Sequence, residues 1–266
     1  MRSHSANQGP RAAMPQRRGL RSIRRGTVLL VGLIALVMSS TACEPAPPPV
    51  ITPPPPPRPA VPIGAPPRVL KVDVIGDSLV RQAGPNIQAA LAGAGLAATV
   101  ASQPGVDLMN PFIQDNIAAV AARPGDIVVL ATASNDVQWQ WKNVAALGQA
   151  GVQRTYRQNL GRAIDQLRDR CVVVVNSREN MAPMFNPQQA MVLNANLREE
   201  GQVRRNMVII DWAGASRSHT DDWFVGDQLH FGPDANTSVG TRAGAAAYAS
   251  AVTYGVNACR NALDPA

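Results

Sequence analysis

Three side chains of the kinds that carry out nucleophilic catalysis stand near the two ends of one stretch of the chain. Ser78 lies in the run Gly-Asp-Ser-Leu at 76–79, and Asp227 precedes His230 by three residues. A serine hydroxyl becomes a nucleophile when a histidine takes its proton, and the histidine needs a carboxylate that fixes its tautomer. Because a spacing of three lets Asp227 fold back onto His230, the pattern fits acyl transfer through serine. Taken alone, Gly-Asp-Ser is also typical of a turn or a helix N-cap.

Two further segments contain groups that could stabilise a negatively charged oxygen. Gly105 stands in Pro-Gly-Val at 104–106, and Asn135 stands in Ala-Ser-Asn-Asp at 133–136. A glycine lets its backbone N–H approach an oxyanion closely, and an asparagine amide supplies a second donor. Each segment taken alone is also an ordinary turn sequence. His219 lies in the polar run Ser-Arg-Ser-His-Thr and is expected in a solvated loop.

The elements that must position these groups alternate between short apolar strands and amphipathic helices. We predict strands at 69–75, 97–101, 126–131, 171–176 and 207–211. We predict helices at 80–94, 111–122, 148–170, 187–202 and 240–259. This alternation favours one α/β domain whose parallel sheet is covered by helices on both faces. Ligands of such sheets bind at the carboxyl ends of the strands, which is where the segments described above are expected.

In order and in residue type, these segments resemble the four sequence blocks of the SGNH, or GDSL, hydrolases, which supply Ser, Gly, Asn and His. The resemblance spans 69–252, and Ala133 stands where the third block usually has glycine. It implies a three-layer α/β/α sandwich with a five-stranded parallel sheet. It also implies the roles of the site residues: Ser78 as nucleophile, His230 as base, Asp227 as orienting acid, and the N–H groups of Ser78 and Gly105 with the amide of Asn135 as the oxyanion hole.

Other kinds of site have little support in the sequence. The serine motif differs from the Gly-x-Ser-x-Gly elbow of α/β-hydrolases, because its fifth residue is Val80. The glycine-rich run at 93–98 follows a predicted helix and precedes a strand, which favours a helix C-cap over a dinucleotide site. We find no phosphate-binding loop and no His/Cys cluster typical of zinc, and we therefore expect no cofactor and no metal.

The net charge of +7 belongs to the N-terminal segment. Seven arginines and no acidic residue precede Cys43, so 44–266 contains 18 basic and 18 acidic residues. A formally neutral domain lacks the basic surface that contacts the phosphates of nucleic acids. The charge distribution therefore argues against nucleic acid as a partner, although the whole chain is basic.

The N-terminal segment is typical of an export signal. An apolar run of 12 residues at 27–38 is too short to cross a bilayer, and small residues follow it up to Cys43. The sequence at 40–43 resembles a lipobox, which implies lipidation of Cys43 and anchoring in the cell envelope. An ordinary signal peptide cut near Ala42 and a twin-arginine signal are the alternatives. We therefore divide the chain into a signal peptide at 1–43, a proline-rich linker at 44–68 and a hydrolase-like domain at 69–266.

The two remaining cysteines, Cys171 and Cys259, permit two interpretations. Cys171 opens a predicted strand and Cys259 ends a predicted helix, so both are expected at the amino-terminal end of the sheet. In an oxidising compartment outside the cytoplasm they could form a disulfide. The alternative is a pair of buried thiols.

Aromatic residues are predicted to gather at the carboxyl edge of the sheet. The four tryptophans of the chain could stack on a sugar, hold an acyl group, or pack loops onto the sheet. The run Met-Ala-Pro-Met-Phe at 181–185 could likewise line an acyl pocket or cover the core. The tryptophans are Trp139, Trp141, Trp212 and Trp223.

These observations lead to one main hypothesis and two alternatives. The main hypothesis is an exported, lipid-anchored hydrolase that cleaves carboxylic esters through an acyl-Ser78 intermediate. Acetyl transfer to, or acetyl removal from, an envelope polysaccharide would use the same chemistry. A different possibility is a non-catalytic module that binds the cell envelope and retains the fold.

Overall fold

The computed structural model describes residues 69–232 and 243–263. The predicted signal peptide, the proline-rich linker and Cys43 lie outside the described residues. The export and lipid-anchor interpretations therefore stay predictions. Among the described residues, no helix has the length and apolar character needed to cross a membrane.

Five parallel strands form the central sheet, as the alternation of elements predicted. The strands are β1 (Lys71–Gly76), β2 (Ala97–Ser102), β3 (Ile127–Ala131), β4 (Cys171–Val175) and β5 (Met207–Ile210). Their order across the sheet is β2-β1-β3-β4-β5, and all four pairings are parallel. The loops that follow β1, β2 and β3 therefore leave the same edge of the sheet from neighbouring positions.

Helices cover both faces of this sheet. α1 and α6 pack against each other, and α6 also contacts β3, β4 and β5. α2 contacts β1 and α3, while α4 contacts α3 and β5. The result is the predicted α/β/α sandwich. The helices are α1 (Ser78–Gly93), α2 (Pro111–Ala121), α3 (Ala133–Gln166), α4 (Pro187–Val203), α5 (Trp212–Ser216) and α6 (Ala243–Leu263), with one short 3-10 helix at Pro183–Phe185.

The inner strands form the core because their side chains are apolar on both faces. Every side chain of β3 and β4 is buried, as expected for a parallel sheet covered on both sides. At the end of β1, a Cβ atom on Gly76 would lie 2.7 Å from the carbonyl oxygen of Ala131 and 2.3 Å from Cγ2 of Val80. Glycine therefore allows β1, β3 and α1 to meet closely, two residues before Ser78.

The third helix differs most from the prediction. A helix was expected at 148–170, but α3 begins at Ala133 and consists of two helical parts that meet in a kink at Gly148. The first part escaped prediction because its inward face is largely polar, so that it lacks the apolar periodicity of an amphipathic helix. Its buried polar residues are Ser134, Asp136 and Gln140.

Cys171 and Cys259 form a disulfide, which resolves the choice between a bridge and two thiols. The Cα atoms are 5.7 Å apart, and both residues are fully buried. Cys171 is the first residue of β4, so the bond lies at the amino-terminal end of the sheet, where it was expected. It joins the sheet covalently to the end of α6.

Candidate active site

Ser78 is the first residue of α1 and follows β1 after one intervening residue. That residue, Asp77, caps the helix, because its Oδ1 atom accepts a hydrogen bond of 2.9 Å from the backbone N–H of Leu79. A helix start presents free N–H groups and the positive end of the helix dipole. Ser78 is 4% exposed and lies at the predicted carboxyl edge of the sheet.

The structure brings Ser78, His230 and Asp227 into one chain of hydrogen bonds. Ser78 Oγ lies 2.9 Å from His230 Nε2, although the two residues are 152 positions apart. His230 Nδ1 lies 2.6 Å from Asp227 Oδ2. A carboxylate on Nδ1 holds the proton there, so that Nε2 can accept the proton of the serine. This is the connectivity expected of a serine nucleophile, its base and an orienting acid.

The surroundings of Asp227 favour its charged form. Partial burial alone would raise its pKa, but hydrogen bonds from the His230 ring and from two backbone N–H groups together lower the pKa below its ordinary value. Those N–H groups belong to Leu229 and His230 and lie 2.9 Å from Asp227 Oδ1. Asp227 therefore remains a carboxylate that can stabilise an imidazolium.

Asp77 links the serine segment to the segment that contains Asn135. Asp77 Oδ2 accepts a hydrogen bond of 2.9 Å from the Asn135 amide nitrogen and another from the Ser134 hydroxyl. Burial raises the pKa of Asp77, while these donors and the N–H of Leu79 act in the opposite direction. One N–H of the Asn135 amide is thus engaged by Asp77, and the assignment of this amide to the oxyanion hole stays a prediction.

Gly105 lies in the loop after β2, at the same edge of the sheet. Its φ angle of 75° is in the region that favours glycine. The loop starts next to β1, because the N–H of Gln103 donates to the carbonyl oxygen of Gly76 at 3.1 Å. The assignment of the Gly105 N–H to the oxyanion hole stays a prediction.

Asp136 connects the loop after β2 to the start of α3, a role that the sequence did not reveal. Its Oδ1 atom accepts from the backbone N–H of Leu108 at 2.7 Å, and its Oδ2 atom accepts from the Thr132 hydroxyl at 2.8 Å. Burial raises the pKa of Asp136 to about 8. The only sequence signal was its position directly after Asn135.

Gln82 supports the loop that contains His230, and it too was missed. Gln82 is fully buried on α1, one helical turn after Ser78. Its Oε1 atom accepts a hydrogen bond of 2.8 Å from the backbone N–H of Phe231. The carbonyl oxygen of His230 in turn accepts from the N–H of Val225 at 2.8 Å. His230 is therefore fixed relative to the helix that begins with Ser78.

The tryptophans do not form a common wall at the site. Trp212 is fully buried and belongs to an aromatic cluster in the core, which corrects the idea that it faces a ligand. Its ring stacks on Trp223 at 5.6 Å and meets Tyr248 edge-on at 4.9 Å. Trp141, on the first part of α3, is half exposed, and Trp139 is partly buried. The loop-packing interpretation therefore applies to Trp212.

His219 lies in a loop, as expected, and its partly exposed side chain makes specific contacts there. Its Nδ1 atom lies 2.8 Å from Asp222 Oδ2, and its ring stacks on Trp223 with 3.6 Å between centroids. Its carbonyl oxygen accepts from the buried guanidinium of Arg178 at 2.7 Å. These contacts hold the loop before Asp227 in place, so His219 has a structural role here.

The 3-10 helix Pro183–Phe185 lies beside the histidine. The Phe185 ring meets the His230 ring edge-on, with 6.2 Å between centroids and 74° between planes. This segment belongs to the run that was predicted to line an acyl pocket or cover the core.

In residues 69–232 and 243–263, no group of three or more His, Cys, Asp or Glu side chains could hold a metal ion.

The parallel sheet with Ser78, Asn135 and the Asp227–His230 pair at its carboxyl edge defines the class of fold. It is the α/β fold of the SGNH, or GDSL, hydrolases. No protein-family model matches the chain, and no curated protein matches it in sequence.

Solved structures share this fold at low sequence identity. The C-terminal catalytic domain of peptidoglycan O-acetyltransferase A from Streptococcus pneumoniae is 20% identical, with a TM-score of 0.54 over 73% of this chain and 96% of that domain. A family 3 carbohydrate esterase from Clostridium thermocellum is 14% identical, with a TM-score of 0.53 over 74% of this chain and all of that one. A catalytic mutant of an acetylxylan esterase from Geobacillus stearothermophilus is 12% identical, with a TM-score of 0.51 over 70% and 94%.

Proposed function

We propose that this protein is a serine hydrolase that cleaves carboxylic esters through an acyl-Ser78 intermediate. The observation that carries the proposal is the continuous hydrogen-bonded chain from Ser78 Oγ through His230 to Asp227. A serine whose proton is shared with an oriented histidine, at the start of a helix, has the geometry of an activated nucleophile.

The first half of the reaction forms the acyl-enzyme. His230 Nε2 takes the proton of Ser78 as Oγ attacks the carbonyl carbon, and Asp227 stabilises the imidazolium. The oxyanion accepts hydrogen bonds from the Ser78 N–H, the Asn135 amide and, as the sequence predicts, the Gly105 N–H. The bond to the alcohol oxygen then breaks, and His230 gives its proton to that oxygen.

The second half releases the acyl group. His230 deprotonates a water molecule that attacks the acyl carbon, and the serine recovers its proton as the acid leaves. If a sugar hydroxyl replaces the water, the same steps transfer the acyl group instead of hydrolysing it. Both outcomes require only the residues already described.

Acetyl groups on polysaccharides are the substrates that we favour. The similar structures include a peptidoglycan O-acetyltransferase, an acetylxylan esterase and a carbohydrate esterase. Acetyl transfer is the second candidate because one of these structures is a transferase domain. Export and lipidation at Cys43 would place the domain at the cell envelope, and the Cys171–Cys259 disulfide fits an oxidising compartment.

The proposal is tested by Ser78→Ala. We expect turnover of 1-naphthyl acetate to fall by about 10³-fold or more, because no other group supplies the nucleophile. The melting temperature should change little, and a fluorophosphonate probe should label the wild type but not the variant.

Ser250→Ala is the matched control, since this exposed serine on α6 donates to the carbonyl oxygen of Ala246 in its own helix. It should retain full activity and labelling. Unchanged turnover in Ser78→Ala would refute the proposed function. Tight binding of an acetylated glycan by the wild type without any turnover would favour a non-catalytic module.

A further inference from the structure

The 3-10 helix Pro183–Phe185 places an apolar surface next to the proposed base. Phe185 meets the His230 ring edge-on at 6.2 Å. Its neighbour Met184 is 68% exposed, so this side chain contributes little to the core. Phe185 is only partly buried against the core, so part of the surface formed by Met184 and Phe185 is available to a bound molecule, whereas Trp212 is fully buried.

This surface is fixed relative to the proposed catalytic residues. The N–H of Ala182 donates to the carbonyl oxygen of Asp227 at 3.1 Å, and the N–H of Phe185 donates to the carbonyl oxygen of Ala182 at 2.9 Å. Asn186, in a left-handed conformation with φ of 54°, ends the 3-10 helix and caps α4. Phe185 is thus attached to the same loop that contains Asp227 and His230.

The chemistry of the reaction determines which part of an ester lies near this surface. In the step that releases the alcohol, His230 Nε2 donates a proton to the alcohol oxygen, which must lie within hydrogen-bond distance of Nε2. The carbonyl oxygen lies elsewhere, at the N–H of Ser78 and the amide of Asn135. Residues beside the imidazole therefore contact the alcohol part of the substrate more readily than the acyl part.

We propose that Phe185, assisted by Met184, binds the alcohol part of the ester and selects alcohols with an apolar ring face, such as a sugar ring. The inference rests on the proposed function. It assigns part of the run 181–185 to the alcohol part of the substrate, whereas the sequence suggested an acyl pocket or a cover for the core. A flat aromatic side chain offers apolar contact area to one face of a ring. Neither Phe185 nor Met184 carries a charge, so this surface does not require a charged alcohol.

The test compares Phe185→Leu and Met184→Ala with the wild type on two ester series. Leucine retains apolar packing and removes the flat ring. For glucose pentaacetate we expect KM to rise about threefold to tenfold in Phe185→Leu, a change that corresponds to the loss of one aromatic contact. For methyl acetate, and for methyl esters of increasing acyl length, KM and kcat should stay at wild-type values.

Tyr254→Ala is the control for loss of an exposed aromatic side chain, because Tyr254 lies on α6 beside β5. Tyr254→Ala should leave KM and kcat at wild-type values for both ester series. A changed preference for acyl length in Phe185→Leu would overturn the inference, and so would an equal loss of activity on both series.

Binding to the Ser78→Ala variant separates this inference from the proposed function. The dissociation constant of glucose pentaacetate for Ser78→Ala is compared with that for Ser78→Ala/Phe185→Leu by calorimetry. Weaker binding in the double variant supports the inference even if the wild type proves inactive, in which case only the proposed function fails. Equal binding by the two variants overturns the inference, whatever the wild-type activity.

Discussion

At the scale of single residues, Asp136 shows how a buried carboxyl group can support a site without touching a substrate. It joins Leu108, in the loop after β2, to Thr132, at the start of α3. These are the segments that follow Gly105 and precede Asn135. Burial raises its pKa to about 8, and the charges of Asp107 and Asp77 add to that increase.

We predict that Asp136→Asn stabilises the protein increasingly as the pH rises. A carboxyl group with a raised pKa in the folded state lowers stability between its unfolded pKa, near 4, and its folded pKa, near 8. An amide does not titrate, and it retains an oxygen for the Leu108 N–H. Because one pKa unit corresponds to about 1.4 kcal/mol, the variant should gain more than about 2 kcal/mol relative to the wild type between pH 4 and pH 8.

Urea unfolding at several pH values measures this difference. Asp115→Asn on α2 is the control, since this side chain is exposed and no hydrogen bond or ion pair of it is found in the described part of the chain. The difference in free energy of unfolding between Asp115→Asn and the wild type should not grow comparably with pH. If the free energies of unfolding of Asp136→Asn and the wild type differed by the same amount at every pH, the raised pKa of Asp136 would be contradicted.

Only some residues of the candidate site could be predicted from the sequence. Ser78, Asn135, Asp227 and His230 could be named because their local spacing has a chemical meaning, and the fold brings them to one edge. Gln82 could not be named, because its role depends on contact with Phe231, 149 positions away. Contacts between distant segments become visible only after the chain has folded.

At the scale of elements, a kink at Gly148 divides α3 into two helical parts. Gly148 has a φ of 68° and a ψ of 161°, a combination that side chains strongly disfavour. The backbone can therefore turn there between the part of α3 that begins near Asn135 and the part that packs on the core. Because of the kink, α3 can begin beside Asn135 and still pack its second part on the core.

We predict that Gly148→Ala lowers the free energy of unfolding by about 1–3 kcal/mol through this backbone strain. Gly93→Ala at the end of α1 is the matched control: Gly93 has no positive φ and no atom within 4 Å of a Cβ, so alanine should be neutral or slightly stabilising. Urea denaturation of both variants gives the comparison. Equal stability of the two variants would mean that the kink does not depend on glycine.

Elements differed in how well the sequence predicted them. All five strands were predicted to within a few residues, because apolar runs this short between turn signals are too short for typical helices, and most are rich in β-branched residues. The first part of α3 was missed because its inward side chains are polar: Ser134 donates to Asp77, and Asp136 accepts from Leu108 and Thr132. The short helix at Trp212–Ser216 was missed because one turn provides no periodicity.

At the scale of the whole molecule, the Cys171–Cys259 disulfide joins two distant parts of the sequence. Its partners are separated by 88 positions, so the bond strongly restricts the unfolded chain. We predict that replacing both cysteines by alanine lowers the free energy of unfolding by about 2–4 kcal/mol. Reductant should destabilise the wild type by a similar amount and leave the double variant unaffected. A wild type that reductant does not destabilise would contradict a stabilising bond.

The disulfide also makes residues 171–259 a covalent ring. Asp227 and His230 lie within this ring, whereas Ser78 lies outside it. A protease that cuts one peptide bond in the exposed stretch near Arg217 would open the ring without dividing the molecule. The two pieces would stay joined through the disulfide, and the segment that contains His230 would remain covalently attached to the piece that contains Ser78. After such a single cut, covalent release of that segment would also require reduction of the disulfide.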